Sequence, residues 1–244
     1  MRRHRRAHAS TRGELALLTE AELQALWLSL AVSLRAVLFA LPLGIACAWV
    51  LARRRFPGKT LFDGLVHLPL VVPPVVVGYL LLILFGIRGV LGKPLYDWFG
   101  IKLVFTSAGA SLAIAVTTFP LMVRAIRLSI EAIDTGLEDA ARTLGAGPFD
   151  RFFTITLPLM VPGILAGGVL AFSAGLGEFG AVITFVSNIP GVTQTLPLAI
   201  YTATQTPGGE AAAARLASLS IALALGGLVL SELLARRARA MLAG

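Results

Sequence analysis

Long apolar runs bracketed by basic residues set the strongest limit on what this chain can fold into. Between Arg35 and Arg53 lie 17 uncharged residues (36–52), and between Lys102 and Arg124 lie 21 (103–123). At about 1.5 Å per helical residue, such runs nearly match a hydrocarbon core of about 30 Å. Backbone polar groups find no water there, so the runs must be helical. Further spans are expected between Asp63 and Arg88, from Arg151 to Glu178, and between Arg215 and Arg236. Composition agrees, with 57% hydrophobic and 14% charged residues against roughly 25% charged in a soluble domain. The expected fold is all-α, a polytopic membrane bundle of five transmembrane helices. No polar stretch is long enough to build a soluble lobe.

Local signals refine this outline. Residues 21–34 read as an amphipathic stretch ahead of the first span, with Arg35 reaching toward one interface. Pro69, Pro73 and Pro74 predict a kinked second span. The 88–102 segment reads as a loop, its Tyr96 and Trp98 suited to the membrane interface. Gly167, Gly168, Gly175 and Gly177 offer the fourth span a surface for close backbone approach. The uncharged 179–209 region is interrupted by Asn188, Pro190-Gly191 and Pro207-Gly208-Gly209, which predicts a loop with a partial helix packed on the bundle. Cys47 is expected as a buried small hydrophobe. His67 is expected as a structural interfacial residue with no acid partner evident. The basic start leads into polar residues, so no cleavable signal is expected.

Charge then orients the chain. Placing the 53–59 turn, the 124–151 segment and the C-terminus on one side collects eleven of the 21 Lys and Arg, whereas Arg88, Lys93, Lys102 and Arg215 lie opposite. Basic loops stay in the cytoplasm, so the first set is expected there. Five spans leave the basic N-terminal tail on the other side, against that rule.

Within the cytoplasmic set sits the most tightly punctuated stretch of the chain. Thr135 and Glu138 have the spacing of a capping box. Gly145 stands where a helix would end, and Pro148 stops it resuming. About nine helical residues result, too few to be stable alone in water. Leu137, Ala140, Ala141 and Leu144 share one side, and Glu138, Asp139, Arg142 and Thr143 the other. Such a helix is expected to be clamped between its own membrane body and a second protein.

Chemistry is hard to place in the chain. There is no GxxxxGK[ST] loop, HExxH, CxxC or GxSxG, and no nucleophile–base pair deep in adjacent spans. No catalytic residue, metal ligand or cofactor is expected, and the basic charge reports orientation rather than nucleic-acid binding. A self-powered carrier usually carries ionisable groups at mid-depth, but here charge brackets the spans. Transport energy would therefore come from elsewhere. Glu178, in Gly177-Glu178-Phe179-Gly180, has no adjacent cation. Two readings are open for it: an interfacial residue, or part of a candidate gate or subunit interface.

Read on to Pro158, the short helix resembles the signature of importer-type ABC permeases: Glu-Ala-Ala, three residues, Gly, nine residues, Ile-x-Leu-Pro. Here Asp139-Ala140-Ala141 precedes Gly145, and Ile155-Thr156-Leu157-Pro158 follows at the same spacing. Asp139 stands where the family usually has Glu, with Glu138 beside it. Wider stretches resemble molybdate ABC transporter permeases, among them 55–59, 67–79, 96–100, 119–127, 177–191 and 205–210. Sulfate/thiosulfate permeases share the overall pattern and are the alternative. The resemblance implies a type I importer domain over 21–237, between a basic tail (1–20) and a C-terminal tail (238–244). It implies a homodimer in the bacterial inner membrane, a cytoplasmic ATP-binding subunit that hydrolyses ATP, and an extracytoplasmic molybdate-binding protein. Residues implied to couple to the ATPase are Leu137, Glu138, Asp139, Ala140, Ala141, Arg142, Leu144, Gly145 and Pro158. Gly177, Glu178, Phe179 and Gly180 are the candidate gate or pathway segment.

Overall fold

The computed structural model describes residues 18–243, so residues 1–17 of the expected basic tail lie outside the described residues. All described elements are helical. α1 (Glu20–Arg53) is one continuous helix of 34 residues, so the expected amphipathic lead-in and first span are a single rod. Its start is fixed by a reciprocal capping box: Glu22 N donates to Thr19 Oγ1 at 3.3 Å, and Thr19 N donates to Glu22 Oε2 at 2.8 Å. At this end Arg215 Nη2 donates to Glu22 Oε1 at 2.8 Å, joining α1 to the start of α10 (Glu210–Ala243). From there α10 runs in the same sense as α1, with Gly227 against Ser173 and Gly175 against Ser33, and continues through residues 238–243, where a tail was expected.

The second span is not one kinked helix. α2 (Lys59–Val71) and α3 (Pro74–Phe85) meet at 114°. The residue before a proline is pushed out of the α region. Val72 and Pro73, each followed by proline, are accordingly extended, with ψ near 135°. The helix stops and restarts with Pro74 at its first position, where a missing N–H costs nothing. Four helices are thus long and apolar enough to cross a membrane, or five if the bent pair is counted as one span. The 88–102 segment, expected as a loop, contains α4 (Gly92–Phe99).

α5 (Ser107–Glu131) is the axis of the bundle. Its apolar stretch is 56% buried, against 28% for α1 and α7 and 6% for α10. α7 (Pro148–Leu176) packs on α5 through Gly163, Gly167, Ala171 and Gly175, a buried stripe repeating every fourth residue. Such a row brings backbones close where lipid supplies no hydrophobic drive. A Cβ at Gly167 would lie 3.0 Å from Met122 O, and one at Gly175 would lie 2.6 Å from Ile114 Cγ2. Of the other expected glycines, Gly168 faces Val37 on α1 at ordinary distance, and Gly177 is exposed.

The 179–209 region is no span, as expected. It holds two short helices, α8 (Gly180–Val186) and α9 (Leu196–Gln205). α8 packs on α3 and α5, and α9 on α1 and α10. Leu196 N, one of the free amides at the start of α9, donates to Ser29 Oγ of α1 at 2.6 Å.

A Cβ at Gly163 would collide with Ser129 Cβ, so Gly163→Val should lower stability by about 1–3 kcal/mol through overpacking. Thermal denaturation of the detergent-purified protein would show it. Gly226→Val, at a site with open space around it, should leave the midpoint almost unchanged.

Candidate functional site

The candidate site is α6 (Thr135–Thr143) and the chain that leads from it into α7. Its start differs from expectation. Asp134 is the N-cap, its Oδ1 accepting from Gly136 N at 2.8 Å, and Thr135 is the first helical residue. Aspartate caps well and carries charge that suits a helix N-terminus, so it takes the position that the Thr135–Glu138 spacing suggests for threonine. Glu138 is engaged elsewhere. The end of the helix is as expected: Gly145 lies at φ +87°, a left-handed position that favours glycine. Gly145 N donates to Arg142 O at 3.1 Å and Ala146 N to Ala141 O at 3.0 Å, which together form a Schellman motif.

The polar face, not the apolar one, holds α6 to the membrane body. Arg53 Nη2 at the end of α1 lies 3.2 Å from Glu138 Oε1, and Thr156 Oγ1 donates to the same oxygen at 2.9 Å. Arg53 also reaches Ile133 O at 3.5 Å. One carboxylate thus joins α1, α6 and α7. Thr156 closes a π-helical turn, Phe152–Thr156, inside α7. Pro158 lacks the N–H that the Thr154 carbonyl would receive in a regular helix, and the wider turn lies just before it. Trp49 of α1 packs edge-on to Phe152, with ring centroids 6.3 Å apart.

The opposite face is open. Leu137 is 49% exposed and Leu144 87%, and Ala140 between them is exposed as well. Ala141, expected on this face, is half-buried beside Glu138. Asp139 and Arg142 pair with each other at 3.3 Å, both well exposed. Pro158 is exposed on α7.

The Gly177–Gly180 segment forms a corner between α7 and α8. Glu178 Oε1 accepts from Ala181 N at 2.9 Å, so its carboxylate caps α8. Phe179 packs against Tyr201, with centroids 5.4 Å apart and the rings tilted at 53°. Gly180 sits against the α2–α3 elbow, where an added Cβ would lie 3.0 Å from Pro74 Cβ. The two interruptions of the bundle therefore meet. His67 does have an acid neighbour: its Nδ1 lies 3.0 Å from Asp63 Oδ1, and Asp63 Oδ2 accepts from Arg127 Nη1 at 2.9 Å. The i, i+4 spacing of Asp63 and His67 was a visible signal. Arg53, Asp134 and Thr156 are site residues that sequence reasoning missed. Arg53 read only as an orientation marker, and nothing local points to Thr156.

The family described as "Binding-protein-dependent transport system inner membrane component" matches residues 40–240. The chain belongs to this family. It is 64% identical over 223 residues to the molybdenum transport system permease protein ModB of Escherichia coli K12, covering 91% of this chain and 97% of that one. It is 40% identical over 182 residues to the sulfate transport system permease protein CysT of the same organism, covering 75% and 65%. The fold resembles a chain in the crystal structure of a bacterial alginate ABC transporter in complex with its pentasaccharide-bound periplasmic protein. That match has a TM-score of 0.70 at 20% identity, over 90% of this chain and 80% of that one. The bundle is accordingly that of an ABC importer permease.

Glu138→Ala would leave the largely buried Arg53 without its carboxylate, and should cost roughly 1–3 kcal/mol. Asp139→Ala breaks only a solvated pair and should cost less than about 1 kcal/mol. Thermal unfolding and limited proteolysis at the 134–148 segment would compare them. Equal losses would mean that Glu138 is not the anchor.

Proposed function

We propose that this chain is the permease subunit of an ABC importer that moves molybdate, and its near-equal in size tungstate, into the cytoplasm. The observation that carries this reading is the identity to a molybdenum permease over almost the whole of both chains. The sulfate permease match is weaker and shorter, which makes sulfate or thiosulfate the second reading. Residues 21–237 form the transport domain. The chain works as a homodimer with a cytoplasmic ATPase that performs the hydrolysis, and it receives its oxyanion from an extracytoplasmic binding protein. The relative's role and the periplasmic protein in the alginate complex support these partners.

Geometry supports the arrangement of the parts. The ends bearing Arg53 and α6 lie together, and α10 runs toward that end from the Glu22–Arg215 pair. Basic residues collect there, so this end and the C-terminus face the cytoplasm. α6 then presents Leu137, Ala140 and Leu144 to the ATPase. Because Glu138 ties α6 to both α1 and the π turn of α7, a push on α6 moves those helices as a unit. At its far end α7 turns through Gly177–Gly180 against the α2–α3 elbow, which is where a gate would feel that movement. Charge brackets these spans rather than lining a route through them, so an oxyanion meets hydroxyls, backbone N–H groups and helix ends. Weak binding along such a route suits a ligand handed over by a dedicated binding protein.

Uptake of labelled molybdate into vesicles holding the assembled transporter tests the substrate. Tungstate should compete at equal concentration and excess sulfate should not; strong inhibition by sulfate would favour the second reading. Uptake by the permease without ATPase and ATP would instead indicate a self-powered carrier. For the coupling role, Gly145→Val forces a branched residue into the left-handed region at a cost of roughly 1–2 kcal/mol. ATP hydrolysis should persist while uptake falls by roughly five- to thirty-fold. Unchanged uptake would remove α6 from the coupling path.

A further inference from the structure

The cleft between the end of α1, α6 and the π turn of α7 has features that coupling does not use. It encloses about 540 Å³ and is lined by Arg53, Arg54, Arg142 and Arg151 against only two carboxylates, Glu138 and Asp139. Both carboxylates are already taken, by Arg53 at 3.2 Å and by Arg142 at 3.3 Å. Arg54 and Arg151 have no carboxylate partner among the described residues. The Nε atoms of Arg53 and Arg151 are buried with no hydrogen-bond partner. Buried donors without acceptors are uncommon, and guanidinium groups match the paired oxygens of a phosphate.

A second cavity adjoins the first. This groove of about 460 Å³ runs along α1 from Pro42 and Ile45 to Trp49, walled by Phe149, Phe152 and Phe153. Trp49, Arg54, Pro148 and Phe152 line both spaces. Arg54 lies over the Trp49 ring, its Cζ 4.9 Å from the ring centroid, where basic and apolar parts join.

We propose that this composite cleft binds one anionic phospholipid, with the phosphodiester among the arginines and an acyl chain in the groove. A free phosphate would satisfy the arginines but leave the groove empty, and a zwitterionic lipid would bring its own cation to a site that already has a surplus. Basic pockets between helices on the cytoplasmic side are suited to anionic headgroups. The proposal rests on the membrane placement of the bundle and not on which oxyanion is carried.

Trp49 reports on the site directly. Trp27→Phe with Trp98→Phe leaves it the sole tryptophan of the three in the full-length chain. Its quenching by brominated phosphatidylglycerol is compared with that by brominated phosphatidylcholine in reconstituted vesicles. The anionic lipid should associate at least roughly fivefold more strongly. Arg54→Gln with Arg151→Gln should abolish the preference, and Arg54→Lys with Arg151→Lys should keep much of it. Equal quenching by the two lipids overturns the proposal, and this comparison needs neither arginine variant to fold. Loss of the preference in excess inorganic phosphate would assign the pocket to a soluble anion. Loss on adding the ATPase would assign it to a protein surface. Either result overturns a lipid site, and molybdate uptake measured in parallel tests the transport reading separately.

Discussion

The contact between Arg53 and Glu138 is the constraint on which the mechanics of this bundle depend. α6 has nine residues and none of them is buried, so neither length nor packing can hold it. What holds it is one carboxylate that reaches the last turn of α1 and, through Thr156, the π turn of α7. Electrostatic attachment leaves the apolar side of α6 free. A helix held by its apolar face would have only charge to offer a partner. Here the ion pair faces inward, where it is partly shielded from solvent and salt, and Leu137 and Leu144 face outward.

The rest of the bundle is held by packing and polar ties rather than by leucine burial. Helices in lipid gain nothing from burying leucine against leucine, so close backbone approach and polar ties must hold them together. The stripe of Gly163, Gly167, Ala171 and Gly175 packs α7 tightly against the central α5. At the opposite end from Arg53, Glu22 and Arg215 join the first and last helices. Between these fixed points lie the two breaks, at Val72-Pro73 and at Gly177–Phe179, and they pack on each other. Rigid rods with paired breaks bend in few ways.

Basic charge serves this chain twice. Counted by loops, the arginines are the signal from which its orientation in the bilayer is proposed. In three dimensions Arg53, Arg54, Arg142 and Arg151 converge around one cleft, far more concentrated than orientation requires. Arg53 anchors α6, whereas Arg54 and Arg151 remain available to an anion. The cleft and the anchor share a wall, so whatever occupies the cleft touches the helix proposed to meet the ATPase.

Sequence alone determined the parts governed by local rules. Span length, the left-handed turn at Gly145 that ends the short helix, and the absence of a span over 179–209 follow from hydropathy, glycine and proline. These depend on neighbouring residues and on the thickness of the bilayer. Local rules also compete: Asp134 takes the cap from Thr135, and Pro73-Pro74 breaks the second span rather than bending it. Tertiary structure alone decided which face of α6 is inward, because both faces fit a clamped helix until Arg53, 85 residues earlier in the chain, is brought within 3.2 Å of Glu138. It likewise decided that the elbow meets the Gly177–Gly180 corner and that arginines from three separate stretches share a cleft. Hydropathy has a period and can be read along a chain, whereas the partner of a charge is set by the path of every helix between.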